Sequence, residues 1–75
     1  MFDEDDLKTV ATEDGVTLPV GARAFNYYDM KPGVIGDDLD GSGWFTFTHD
    51  DGSKALLNGE RICSMVFAIR KGWAS

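Results

Sequence analysis

The feature that most constrains this fold is a pair of short strand-like runs joined by a turn signal. In Trp44–Thr48, Phe45 and Phe47 alternate with Trp and Thr residues at the period of two that a β-strand requires. Asp50–Ser53 contains an Asp-Gly pair, which is typical of hairpin turns, and Lys54–Leu57 supplies the returning strand. The sequence therefore predicts an antiparallel hairpin that buries Phe45 and Phe47.

Further turn signals divide the rest of the chain into short strands. Pro and Gly residues interrupt it at 19–21 and 29–33, a loop rich in Gly and Asp covers 38–43, and Asn58–Glu60 predicts a short 3₁₀ turn. The predicted strands are Ala22–Tyr28, Val34–Asp37, Trp44–Thr48, Lys54–Leu57 and Arg61–Cys63. Five short strands so close together favour a small, curved β-barrel.

The two ends of the chain carry different signals. Residues 1–7 predict a disordered acidic leader, because short terminal segments of like charge seldom order. β-forming residues around Asp14-Gly15 predict a hairpin over residues 8–18. A Ser N-cap, two cations in the last turn and Gly72 favour a helix over residues 65–72. A strand is the alternative there, because several of these residues are also β-forming.

Alternation along the strands also predicts the core. Its expected members are Phe25, Phe45, Phe47, Ile35 or Val34, Leu56 and Ile62. If the turn between the two central strands has two residues, Phe47 pairs with Leu56. His49 then faces Lys54 at the solvent-facing end of that row.

His49 is the only histidine, and the two aspartates that follow it raise the question of acid–base chemistry. Such catalysis needs its groups held together in a partly dry site, whereas Asp-Gly at a hairpin tip is explained by the turn alone. Cys63 is the only cysteine, and in a predicted strand it is expected to be a buried hydrophobe without a neighbouring base. We therefore predict no enzyme and no catalytic residue.

Composition bounds the ligands in the same way. One Cys and one His are too few for structural zinc, no calcium-loop spacing is present, and no glycine loop has the lysine of a phosphate site, so we predict no metal and no cofactor. The net charge of −6 argues against nucleic-acid binding. No apolar run approaches the roughly 18 residues of a membrane span. A lone cysteine suits a reducing, cytoplasmic compartment.

Four segments carry a resemblance to a known fold family: Leu18–Phe25, Lys31–Ile35, Phe47–Ser53 and Glu60–Ile62. Together they resemble the SH3-like barrels of the KOW and Tudor kind over residues 18–63. The resemblance implies a single five-stranded SH3-like barrel at residues 8–64, followed by the C-terminal helix. The stretches YYDMKPG and LNGERIC also resemble small proteins common in actinobacterial phages, which implies the cytoplasm of a bacterial host cell.

The resemblance also implies a binding surface. Tudor-like barrels can hold a methylated side chain in an aromatic cage through cation–π contacts. The positions matching that cage are Tyr27, Tyr28 and Trp44, flanked by the loop residues Asp37, Asp38 and Asp40. In the alternative, the C-terminal helix covers this face, with Val66, Ile69 and Trp73 lying over Trp44, Ala55 and Leu57.

We expect a non-enzymatic module that binds another protein through this aromatic face, as a phage accessory protein contacting a host protein. A structural or assembly subunit of a larger particle is the alternative, and it predicts self-association where the module predicts a monomer or weak homo-oligomer. Two further alternatives are nucleic-acid binding in the KOW manner and mimicry of nucleic acid by the acidic leader.

Overall fold

A computed structural model describes residues 8–39 and 42–74 of the chain, so the predicted leader lies outside the described residues. The elements are the strands β1 (Thr9–Ala11), β2 (Thr17–Pro19), β3 (Arg23–Asn26), β4 (Lys31–Ile35), β5 (Phe45–His49), β6 (Lys54–Leu57) and β7 (Ile62–Cys63), a 3₁₀ turn at Gly59–Arg61, and the helix α1 (Met65–Arg70). The fold is mainly β with one short helix, as the sequence predicts.

Five of the strands form one antiparallel sheet in the order β6-β5-β4-β3-β7, which curls into half of a barrel. The last strand returns to pair with β3, where Phe25 faces Cys63. β4 begins at Lys31, three residues earlier than predicted, so Lys31–Gly33 lies in the strand and not in a turn. Proline has no N–H to donate, and it is tolerated here because its neighbour, Asp50, lies beyond the end of β5. The Pro32 carbonyl still accepts a hydrogen bond from Asp50 N (2.9 Å).

The predicted N-terminal hairpin is present as β1 and β2, which pair with Val10 opposite Leu18. Gly15 in its turn has φ +86°, a backbone conformation that favours glycine. Val10 is buried in the main core and Leu18 packs against it, so the hairpin covers part of the sheet's concave face. Glu13 N donates to the carbonyl of Ile62 (2.9 Å), which joins the hairpin to β7.

The core has two parts. The larger one lies between the sheet and the first hairpin and contains Val10, Ala24, Ile35, Leu39, Phe45, Phe47, Leu57 and Ile62. The smaller one lies beneath α1 and contains Phe25, Cys63 and Ala68. The predicted burial of the three phenylalanines, Ile35 and Ile62 is confirmed, although Phe25 faces the helix and belongs to the second cluster.

The prediction for Leu56 is wrong, because Leu56 is 66% exposed and Leu57 is 6% exposed. The turn after β5 has three residues and not two: His49 N bonds to the carbonyl of Ser53 (2.8 Å), and Gly52 adopts φ +92°. This shifts the pairing by one position, so Phe47 faces Ala55 and Thr46 faces Leu56. A shift of one residue moves every side chain of a strand to the other face.

The C-terminal segment forms the helix and not the alternative strand. Ser64 caps α1 by accepting a hydrogen bond from Phe67 N (3.1 Å), and Gly72 follows the last turn with φ +80°. Ala68 lies on the face of α1 that packs against β3, while Val66 and Ile69 are exposed. The helix therefore lies over Phe25 and does not use Val66 and Ile69 to cover the strands that carry Trp44, as the alternative supposed.

Candidate partner-binding surface

The predicted site residues lie at two opposite ends of the sheet. Asn26 pairs with Lys31, so Tyr27 and Tyr28 lie in the tight β3–β4 turn, outside the strand that was predicted to include them. Trp44 precedes β5 at the other end. Asp37 and Asp38 follow β4 at that same end, and Asp40 lies outside the described residues. The structure therefore does not bring Trp44 together with the two tyrosines.

A different tryptophan joins the tyrosines. The ring of Tyr27 lies 5.1 Å from that of Tyr28 and is stacked 6.0 Å from that of Trp73, centroid to centroid. Arg61 places its guanidinium 4.5 Å above the Tyr28 ring, within the range of a cation–π contact. We refer to Tyr27, Tyr28, Arg61 and Trp73 as the tyrosine–tryptophan face. Tyr28 is 59% exposed and is its most accessible ring.

Two members of this face, Tyr27 and Trp73, are held by contacts with the structure beneath them. The hydroxyl of Tyr27 donates to the carbonyl of Glu60, and partial burial raises the pKa of the Tyr27 phenol. Trp73 stacks on Phe25 (6.1 Å) and meets Phe67 edge-on (5.9 Å). The rings are therefore oriented before any ligand arrives, which lowers the entropy that binding must remove.

The turn that displays Tyr28 is built by one buried amide. Asn26 Oδ1 accepts hydrogen bonds from the backbone N–H groups of Tyr28 (3.0 Å) and Asp29 (3.2 Å). Asn side chains stabilise turns in this way by replacing a backbone acceptor. Met30 closes the turn with φ +59°, the only left-handed conformation of a residue other than glycine among the described residues, and its side chain is exposed.

The carboxylate of Asp38 has an internal role. It accepts hydrogen bonds from Thr46 N (2.8 Å) and from the Thr46 hydroxyl (2.6 Å), so it fixes the loop before β5. These bonds lower the pKa of Asp38. Asp37 is exposed beside it, and Trp44 is exposed without a ring contact to any other described aromatic residue. This end of the sheet offers a single aromatic ring and not a cluster.

His49 is buried and not solvent-facing, in contrast to the prediction. Because the Asn26 oxygen is occupied by the turn, its amide nitrogen donates to His49 Nε2 (3.1 Å). His49 Nδ1 therefore carries the proton and donates to Ser53, at 2.8 Å from the hydroxyl and 3.1 Å from the carbonyl. The Ser53 hydroxyl donates in turn to Asp51 (2.6 Å).

The direction of this chain of hydrogen bonds decides what it can do. A serine nucleophile is activated when a basic nitrogen accepts its proton. Here the facing nitrogen, His49 Nδ1, is the donor, and the hydroxyl points to Asp51. The arrangement suits a polar network that orders the two turns at this end of the sheet.

Ion pairs hold the turn after β5 to β3 and β4 from outside. Arg23 forms two hydrogen bonds with Asp50 (2.8 and 2.9 Å), and Lys31 lies 3.1 Å from Asp51. The bonds from Arg23 lower the pKa of Asp50, and those from Ser53, with Lys31 beside them, lower the pKa of Asp51. Both aspartates following His49 are thus engaged in turn structure.

Cys63 is buried, as predicted, and lies against Phe25 and Ala68. Burial, with the nearby Asp14 carboxylate, raises the pKa of the Cys63 thiol to about 11, which opposes formation of the reactive thiolate. Among the described residues no three His, Cys, Asp or Glu side chains are grouped closely enough to hold a metal ion.

Sequence reasoning missed Arg61 and Trp73 as members of the exposed face. Trp73 follows the Gly72 cap, and that cap could have indicated that the chain turns back towards the sheet after α1. Arg61 was assigned to a strand, whereas it ends the 3₁₀ turn whose Glu60 carbonyl accepts the Tyr27 bond.

Comparison with known proteins gives no relative: no family model matches this chain, and neither the curated proteins nor the solved structures include a significant match. Over the described part of the chain, no helix has the length and apolar character needed to cross a bilayer.

Proposed function

We propose that this chain is a small, non-enzymatic module on an SH3-like barrel that binds another protein through the tyrosine–tryptophan face. The observation that carries the proposal is Tyr28, an exposed ring in contact with both Tyr27 and the Arg61 guanidinium. Tyr, Trp and Arg are the residue types that most often dominate protein interfaces. They combine here on a surface that is ordered in advance.

Two features support the SH3-like part of the proposal. The fifth strand of the curled sheet, β7, returns to pair with its first strand, β3, directly after a 3₁₀ turn. The first hairpin packs over the open side of the sheet and shares its core through Val10. Together with the resemblance of residues 18–63, this arrangement favours a small barrel. A bacterial host protein is proposed as the partner because YYDMKPG and LNGERIC resemble stretches of small phage proteins.

The test begins with the immobilised chain and a bacterial lysate, followed by purification of the captured protein and measurement of Kd. We expect Tyr28→Ala to weaken binding by about tenfold or more, because it removes the central ring of the face. Trp44→Ala is the matched control, since it removes an exposed aromatic ring at the opposite end of the sheet. A partner that loses affinity with Trp44→Ala and keeps it with Tyr28→Ala would contradict the choice of surface.

A second candidate function, a structural or assembly subunit, is favoured by the edge of the sheet. β6 is an edge strand, and Leu56 projects from its outer face with two thirds of its surface exposed. Exposed apolar edge strands are sites of pairing between chains. Sedimentation at rising protein concentration tests this: a dimer or larger species that Leu56→Lys disperses would support the subunit, and a monomer throughout would favour the binding module.

A further inference from the structure

An open groove of about 620 Å³ lies between the first hairpin and α1, and none of the four residues of the tyrosine–tryptophan face lines it. Its apolar lining is Val16, Leu18, Met65, Val66 and Phe67. Val66 is 58% exposed although it faces the groove, so this apolar surface is accessible. The volume is within the range of about 300–1,000 Å³ typical of ligand sites.

The groove also has unused backbone groups. Ile35 N donates to the carbonyl of Ala22 (3.1 Å), and because bonds alternate along antiparallel strands, the N–H and C=O of Arg23 point away from β4. They point to the side of β3 on which β7 pairs. However, β7 ends at Cys63, before it reaches Arg23, and the chain then enters α1. Within the described ranges, no strand lies beside the backbone of Arg23, which lines the groove.

The charges around the groove are unequal. Asp14 lines it, but its carboxylate is occupied by Ser64 N (3.1 Å) and the Ser64 hydroxyl (2.7 Å). The Arg23 side chain pairs with Asp50. Arg70 lines the groove and has no ion-pair partner among the described residues. Asp14 keeps its negative charge but its oxygens are engaged by Ser64, so Arg70 is the charged group at this groove that is left to contact a ligand.

We propose that this groove binds an extended peptide segment of a partner protein, with an apolar side chain against Val66 and a carboxylate at Arg70. The free backbone groups of Arg23 favour a peptide, because added strands are bound through main-chain hydrogen bonds while side chains fill flanking pockets. The apolar lining and the charge of Arg70 set the side chains that are preferred. This second surface does not depend on the tyrosine–tryptophan face.

The test uses a displayed random-peptide library selected on the full chain, followed by Kd measurement on the enriched peptides by fluorescence polarisation. We expect the enriched peptides to carry an acidic residue next to apolar ones. Val66→Glu should weaken them by about tenfold or more, because it places a carboxylate in the apolar groove. Ile69→Glu is the matched control: Ile69 is 49% exposed on the same helix and does not line the groove.

Two further variants separate this proposal from the function proposed above. Arg70→Glu should weaken the enriched peptides, whereas Lys54→Glu should not, since Lys54 is an exposed cation on β6 and does not line the groove. Tyr28→Ala should leave their affinity unchanged. The proposal is overturned if no peptide is enriched, if Ile69→Glu weakens binding as much as Val66→Glu, or if Tyr28→Ala abolishes it. Circular dichroism of each variant confirms that the exposed substitutions leave the fold intact.

Discussion

Two hairpins of this chain turn on the same dipeptide, Asp-Gly, and are fastened to the rest of the molecule in different ways. Gly15 and Gly52 have nearly equal φ angles, +86° and +92°. Asp14 reaches across the fold and accepts two hydrogen bonds from Ser64, the N-cap of α1, 50 positions along the chain. Asp51 accepts its hydrogen bonds from Ser53, two residues later, and pairs with Lys31 of the adjacent strand.

The second hairpin has a long-range connection too, but another residue provides it. His49, at the end of β5, joins the Asn26 side chain beneath the β3–β4 turn to Ser53 in its own turn. The comparison shows that Asp-Gly specifies the direction of the backbone and not the tertiary role of the aspartate. Which residue makes the distant contact depends on what the sheet places opposite the turn.

The largest effect that tests this difference is expected from His49→Ala. The substitution removes a buried ring and leaves the Asn26 amide without its partner, so we expect a loss of about 3 kcal/mol in the free energy of unfolding. Urea denaturation followed by tryptophan fluorescence measures it. Thr48→Ala, one residue earlier in the same strand, is the control, and an equal loss from both would show that the polar network contributes little.

Asp14→Ala should follow, with a loss of about 2 kcal/mol, because it removes the acceptor of three hydrogen bonds, one from the Thr12 hydroxyl and two from Ser64. The same substitution at the exposed Glu13 should have little effect. Asp51→Ala should destabilise the fold less than Asp14→Ala, since its bonds are local and solvent-exposed. The reverse order, measured by the same urea titrations, would contradict the contrast between the two hairpins.

The two turns share the backbone conformation of their glycines, so substitution of either glycine should have the same effect on stability. Gly15→Ala and Gly52→Ala are each expected to cost about 1 kcal/mol, because both glycines adopt the left-handed conformation. Neither added methyl group meets a neighbour within 4 Å, so the cost is conformational and not steric. Thermal unfolding of the two variants gives the measurement. Clearly unequal costs would mean that the turns differ in more than their tertiary contacts.

The smallest effect is expected in the acid range. Burial raises the pKa of Asp14, but hydrogen bonds from Thr12 and Ser64 outweigh it and hold that pKa below its usual value. A carboxyl with a lowered pKa in the folded state stabilises the fold above about pH 4, and that contribution is lost as the pH falls through the folded-state pKa. Urea titrations at pH 6 and pH 3 should show a smaller loss for Asp14→Asn than for wild type. Equal losses of stability in the two proteins would show that Asp14 does not contribute to acid destabilisation.

Much of the fold follows from the sequence because its signals are local. The alternation of Phe45 and Phe47, the turn dipeptides and the Ser64 cap each act within a few residues, and the elements they predict are present. The burial of Leu57 in place of Leu56 could not be predicted, since it depends on whether the turn has two or three residues.

The candidate site was less predictable for the same reason. Tyr27 and Tyr28 were singled out as site residues on opposite faces of a strand, whereas the turn brings their rings together, and their other partners are decided by where α1 returns the chain. Trp44 is aromatic, as the predicted cage requires, but it lies at the opposite end of the sheet from the two tyrosines. Trp73 lies 46 residues beyond Tyr27 in the sequence and reaches it only through the packing of Ala68 and Phe25.

The pairing of β7 with β3 has a consequence for how the chain folds. The meander from β3 to β6 joins sequence neighbours and can form early, whereas the contact of Phe25 with Cys63 closes a loop of 38 positions. Such non-local contacts are formed against a large loss of chain entropy, and they slow folding. During synthesis, the edge of β3 therefore stays unpaired until Ile62 and Cys63 have left the ribosome. We expect the five-stranded sheet to be completed only then, when β7 pairs with β3.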